Sequence, residues 1–171
     1  MFSQVRAQPQ AAFDRTGDGA RAASLYVTEG RDAGLGALDL TTDLQVTEPV
    51  RYLGRLMARV GQRAYAYYFS YLPLDRRAAV PGVAHGGELG FVFGVLSPSA
   101  PAEAKSLSRD MSAAWVAFAK TGDPSINGEH WEPVDKDNYA YMEFGSDGPR
   151  LRRDFLKSKL DFISGLMMGK H

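Results

Sequence analysis

The chain has 171 residues, 44% of them hydrophobic and 23% charged, a composition that supports a packed core and excludes a disordered segment. Lys and Arg total 20, as do Asp and Glu, so the net charge is zero and offers no electrostatic footprint for nucleic acid or an anionic membrane. The absence of cysteine excludes disulfides, thiolate metal sites and a cysteine nucleophile.

Residues 1–24 contain no apolar h-region, so no signal peptide is expected there, and no run is long enough to span a bilayer. An export signal of the natural protein would lie upstream, and nothing in the chain indicates a compartment. Asp14 to Tyr26 reads as a short helix that the glycine-rich run Gly30 to Gly36 should break. Thr47, followed by Glu48 and Pro49, has the form of an N-cap. Val50, Leu53, Leu56, Met57 and Val60 then recur at helical spacing, and Gly61 is a natural stop. From Ala64 to Tyr71 the pattern changes to period two, with Tyr65, Tyr67, Phe69 and Tyr71 on one face, which predicts a strand ended by Pro73. Leu74 to Gly87 holds Pro81, Gly82, Gly86 and Gly87 and reads as a loop.

A second helix is expected from about Pro101 to Lys120, with Leu107, Met111, Ala114, Trp115 and Phe118 along one side and Gly122-Asp123-Pro124 ending it. Tyr139 to Phe144 alternates and predicts a short strand. A last helix should begin near Arg150, with Leu156, Leu160, Ile163 and Met167 in one stripe. The order is α/β in character, with too few strands for a self-sufficient sheet, so the chain reads as part of a larger fold.

The three histidines have different settings. His171 is terminal, and His130 lies in the polar loop Asn127-Gly128-Glu129-His130-Trp131, where a solvated ring is expected. His85 follows the aromatic strand in a glycine-rich loop, with Glu88 three residues later. In open α/β sheets, working groups sit on loops past the carboxyl ends of strands, and an imidazole there can take a proton from a serine and return it to a leaving group. Local context leaves two readings open: this catalytic role, or a ring that merely hydrogen-bonds its own loop. A third, His85-Gly86-Gly87 as an oxyanion motif of the HGGG type, fits poorly, because Pro81-Gly82 intervene after the strand and no G-x-S-x-G elbow follows. Gly145-Ser146-Asp147-Gly148 has the wrong spacing for that elbow.

The run Ala64-Tyr65-Ala66-Tyr67-Tyr68-Phe69, with Gly82-Val83-Ala84-His85-Gly86-Gly87-Glu88-Leu89-Gly90-Phe91-Val92-Phe93-Gly94, resembles the last core strand and histidine loop of the type-B carboxylesterases, which include the cholinesterases. Trp115 to Pro124 is similar to that family's W-x-x-F-A-x-x-G-x-P ending. Trp131-Glu132-Pro133, with Tyr139 and Met142, is similar to its closing strand, and Thr41-Thr42-Asp43 also fits. The resemblance implies that residues 1–171 are the C-terminal portion of an α/β-hydrolase fold, incomplete as a sheet. It implies hydrolysis of carboxylic esters through a serine acyl-enzyme, with chain order Ser, acid, His. His85 would then be the general base and acid, and Glu88 would belong to a supporting hydrogen-bonded network.

The same resemblance implies no metal and no cofactor. The partners it implies are a small-molecule carboxylic ester and the missing N-terminal part of the fold, with neither nucleic acid nor a membrane span. The chain departs from the family pattern in holding no G-x-S-x-G and no glycine-rich oxyanion loop. The triad acid is expected further upstream. Glu29, in Val27-Thr28-Glu29-Gly30, is the nearest candidate, but it lies too close to Asp43 and reads as a solvated turn glutamate. The isolated chain is therefore expected to be inactive, with an unpaired sheet edge at Tyr65 to Tyr71 and a large apolar surface. Two other readings are a non-catalytic relative that uses the fold for binding or adhesion, and a truncated product with no role of its own.

Overall fold

A computed structural model describes residues 5, 8–28 and 32–169. The elements run α1 (Pro9–Asp14), α2 (Gly19–Tyr26), α3 (Ala33–Thr42), a π-helical turn (Asp43–Thr47), α4 (Glu48–Arg59), β1 (Tyr67–Phe69), a 3-10 turn (Leu74–Arg76), α5 (Leu89–Val92), α6 (Ala102–Thr121), β2 (Ala140–Gly145), β3 (Gly148–Arg153) and α7 (Lys157–Met167). They form two compact units, Met1–Leu53 with Leu156–His171, and Gly54–Phe155.

The first unit is helical. Asp18 caps α2 by accepting from the Arg21 N–H at 3.1 Å, and Asp32 caps α3 by accepting from the Leu35 N–H at 2.8 Å. α2 ends at Tyr26, ahead of the glycine run expected to break it, and α3 is a separate helix that takes in the end of that run. Gly30 lies outside the described residues, and Gly36 sits inside α3, where a Cβ would come 2.6 Å from the Tyr26 carbonyl oxygen. That glycine serves a close helix approach rather than a turn. Thr47 is likewise no cap: α3, the π turn and α4 run on without a gap from Ala33 to Arg59. Pro49 has no N–H and its ring crowds the carbonyl four residues back, and the wider π turn just before it relieves that conflict.

Phe13, Tyr26, Leu40, Phe162 and Ile163 are buried in the core of this unit. On α4 the polarity is inverted. Glu48 and Arg51 are buried, with the Arg51 Nε donating to Glu48 at 2.5 Å and its Nη1 donating to Asp161 of α7 at 2.9 Å. The apolar stripe read from the sequence faces outward instead, with Leu53 58% and Val60 70% exposed. Burial raises the Asp161 carboxyl, but hydrogen bonds from Lys157 and Arg51 prevail and hold it below the usual carboxylate range.

A second buried pair lies at the π turn, where the Tyr26 hydroxyl donates to Asp43 at 2.9 Å beneath Lys159, whose Nζ sits 4.5 Å from the Tyr26 ring centre. Burial pushes the Asp43 carboxyl above its ordinary range, and Asp39 adds to this, against hydrogen bonds from Thr47 and Tyr26 and the charge of Lys159. A raised folded-state value means that this carboxyl favours the fold while protonated and that the contribution is lost as pH rises through that value. Asp43→Asn should therefore be more stable than the parent at pH 7, with the difference closing towards pH 4. Thermal unfolding of both proteins at the two pH values checks this; an equal difference at both would count against it.

The second unit holds the sheet, in order β1-β2-β3. β1 is parallel to β2, with Tyr67 opposite Met142 and Phe69 opposite Phe144, and β2 is antiparallel to β3. The regular part of β1 is shorter than its alternating sequence, yet its flanks keep the ladder: Met142 N–H donates to Ala66 at 2.9 Å and Ser70 N–H to Phe144 at 3.0 Å. The other edge of β1 has no strand beside it among the described residues, as expected from the sequence. The helix expected from Arg150 is a strand up to Arg153, with α7 starting only at Lys157. Gly145 to Gly148 form the hairpin turn, and the period-two sequence beyond it lets Leu151 pack inward while Arg150 and Arg152 pair with Glu129 and Glu143.

α6 lies where the sequence puts it. Pro101 precedes it, Gly122 at φ +73° ends it, and Leu107, Met111 and Ala114 are buried against Tyr71, Phe91, Trp131, Met142 and Phe144.

Candidate active-site loop around His85

The loop that carries His85 is fixed by what surrounds it. Beyond β1 the chain runs to Pro73, makes the 3-10 turn, and is tied back by Arg77, which donates to the Leu72 carbonyl at 3.1 Å and also meets the Ser146 hydroxyl. Residues 85–88 form a turn closed by Gly87 N–H to Ala84 at 3.0 Å and Leu89 N–H to Gly86 at 3.2 Å. Gly86 adopts φ +76°, and a Cβ on Gly87 would fall 2.7 Å from Val83 Cγ1, so both glycines are required by the turn's shape.

Glu88, the last residue of the turn, is the N-cap of α5, its carbonyl accepting from Phe91 and Val92 at 2.9 and 3.0 Å. Phe91 is buried with ring centres 4.9 Å from Phe69 and 5.3 Å from Tyr71. The Ser108 and Ser112 hydroxyls of α6 donate to the Phe91 and Val92 carbonyls at 2.8 and 2.5 Å. The sheet thus holds one end of the loop and α6 holds the other.

His85 is exposed at the outer side of this turn, and among the described residues its ring has no hydrogen-bond or ion-pair partner. A bond from that ring to its own loop, one of the two readings of the sequence, is not formed. Glu88 is half-buried and accepts from the Tyr67 hydroxyl at 3.5 Å. Burial, then the charge and hydrogen bond of Glu88, push the Tyr67 phenol above its ordinary range. The Tyr67 ring meets Trp115 edge-on at 5.1 Å between centres. It also lines an open apolar groove of about 180 Å³ with Tyr65, Trp115, Phe118, Pro124 and Trp131. The sequence placed these aromatics on the strand and helix, but only the folded chain shows that Tyr67 touches both the groove and Glu88.

His130 is exposed in its loop near Asp123, and Glu29 and His171 lie outside the described residues. Among the described residues no group of three or more His, Asp or Glu side chains could hold a metal ion. No described helix is long and apolar enough to cross a membrane.

The family model described as "Carboxylesterase family" matches residues 27–163. The chain belongs to the carboxylesterase family. Mouse (Mus musculus) carboxylesterase 1C is 32% identical over 122 residues, which is 68% of this chain and 22% of that protein. Human (Homo sapiens) carboxylesterase 5A is 31% identical over 154 residues, 80% of this chain and 26% of that protein. The chain therefore spans about a fifth to a quarter of the length of these relatives. Among solved structures, one titled "PNB ESTERASE" superposes with a TM-score of 0.72 at 23% identity, covering 95% of this chain and 33% of that one. The fold is accordingly of the α/β-hydrolase kind, present as a partial, open sheet.

Proposed function

We propose that this chain is the C-terminal portion of a carboxylesterase domain and supplies His85 as the general base and acid of a serine-esterase site. The observation that carries the reading is the placement of His85: exposed, unpartnered and aimed by a glycine turn beyond the end of the parallel strand β1, in a member of a family whose relatives are carboxylesterases. His85 would take the proton of a serine as it attacks the ester carbonyl, then return it to the leaving alcohol. Glu88, three residues on, would steady the loop. The substrate class is a small-molecule carboxylic ester, and the mechanism needs no metal or cofactor.

The serine, the triad acid and the oxyanion donors belong, in this reading, to the rest of the fold, which would also pair with the open edge of β1. Alone, the 171 residues hold no G-x-S-x-G and are inert towards esters. The experiment is a chimera of mouse carboxylesterase 1C in which this chain replaces the matching stretch. A folded chimera should hydrolyse p-nitrophenyl acetate. One that turns over equally well with His85→Ala would remove His85 from the mechanism.

A further inference from the structure

Within unit Gly54–Phe155, one side chain of the sheet reaches Glu88 of the histidine turn, and it is Tyr67. Its backbone is fixed in β1 opposite Met142, and its ring is fixed edge-on against Trp115 of α6. From that seat its hydroxyl reaches the Glu88 carboxylate, 21 residues further along the chain. Glu88 closes the turn that starts at His85 and opens α5, so whatever holds Glu88 sets the last residue of the turn. The other anchors act further along, at Phe91 and Val92.

We infer that Tyr67 is a positioning residue for His85: by donating to Glu88 it ties the histidine turn to the sheet and to the aromatic groove. The bond is long, at 3.5 Å, but its acceptor is charged, which strengthens it relative to a neutral pair. The inference rests on His85 being the working histidine of the proposed site, although the coupling itself can be read without catalysis. Because Tyr67 also lines the groove, a ligand or chain segment filling that groove would press on the same ring that holds Glu88.

The test is NMR on the 171-residue chain carrying Tyr67→Phe, Glu88→Gln or both. Phenylalanine keeps the ring against Trp115 and removes only the hydroxyl. Each single change should speed hydrogen exchange of the Gly87 and Leu89 amides about threefold to tenfold, as expected for loss of one partly exposed hydrogen bond to a charged group. Each should also shift the His85 ring resonances, and the double variant should do no more than the larger single one. Additive effects, or a Tyr67→Phe protein whose turn exchange and His85 ring are unchanged, would overturn the inference. Should Tyr67→Phe fail to fold, Glu88→Gln decides alone: it should lower the titration midpoint of the Tyr67 phenol, and an unmoved midpoint contradicts the contact. Failure here with a His85-dependent chimera would discard the tether and leave the esterase reading; the reverse result would discard the esterase reading and leave the tether.

Discussion

In the folded chimera, His85→Ala should lower kcat for p-nitrophenyl acetate about 10⁴- to 10⁶-fold, the loss seen when a triad histidine is removed from a serine hydrolase. KM should move little, because the imidazole acts on a proton in transit and does not grip the ester. The stability of the 171-residue chain should stay within about 0.5 kcal/mol of the parent, because His85 is exposed and has no partner to lose. That separation makes the variant informative: a fall in rate with an unchanged unfolding curve assigns the effect to chemistry. A loss of tenfold or less would place the proton transfer elsewhere.

The largest effect on folding is expected at Trp131, far from that chemistry. It is 3% exposed, and its Nε1–H donates to the Ala66 carbonyl at 3.1 Å. Its ring lies 6.3 Å from Tyr65, 6.1 Å from Trp115 and 5.6 Å from Phe144, so it joins the segment just before β1 to α6 and β2. Trp131→Ala should cost about 3–5 kcal/mol by emptying that space. Against the ~5–15 kcal/mol typical of a domain, this would leave the unit marginal. Trp131→Phe should cost much less, since most of the apolar contact survives and Ala66 keeps the Met142 N–H at 2.9 Å. Urea unfolding of the three proteins measures both steps; a cost below about 1 kcal/mol for Trp131→Ala would contradict this view of the core.

Elements governed by local period were legible in the sequence. The centre of the alternating aromatic run in β1, the strand at Tyr139 to Phe144 and the Leu107, Met111 and Ala114 positions of α6 occur where their spacing puts them, whereas Phe118 stays half exposed. Three features were not legible. Gly36 stays helical because α2 needs the room, Pro49 widens a continuing helix instead of starting one, and Arg150 joins β2 across a two-residue turn. The G-S-D-G at 145–148 was the available hairpin signal. α4 was legible as a helix but not in its orientation, since Glu48 and Arg51 turn inward, where Arg51 pairs with both Glu48 and Asp161 from the far end of the chain. At the candidate site, the glycines around His85 announced a turn beyond a strand. The Tyr67–Glu88 contact joins residues 21 apart through side-chain direction, which no spacing rule encodes.

In the proposed site this chain contributes the working histidine and the rest of the fold contributes the nucleophile. Turnover of p-nitrophenyl acetate by the purified 171-residue protein, with and without His85→Ala, tests this arrangement most directly. A rate no higher than buffer is expected for both proteins. Turnover well above buffer that disappears with His85→Ala would contradict it.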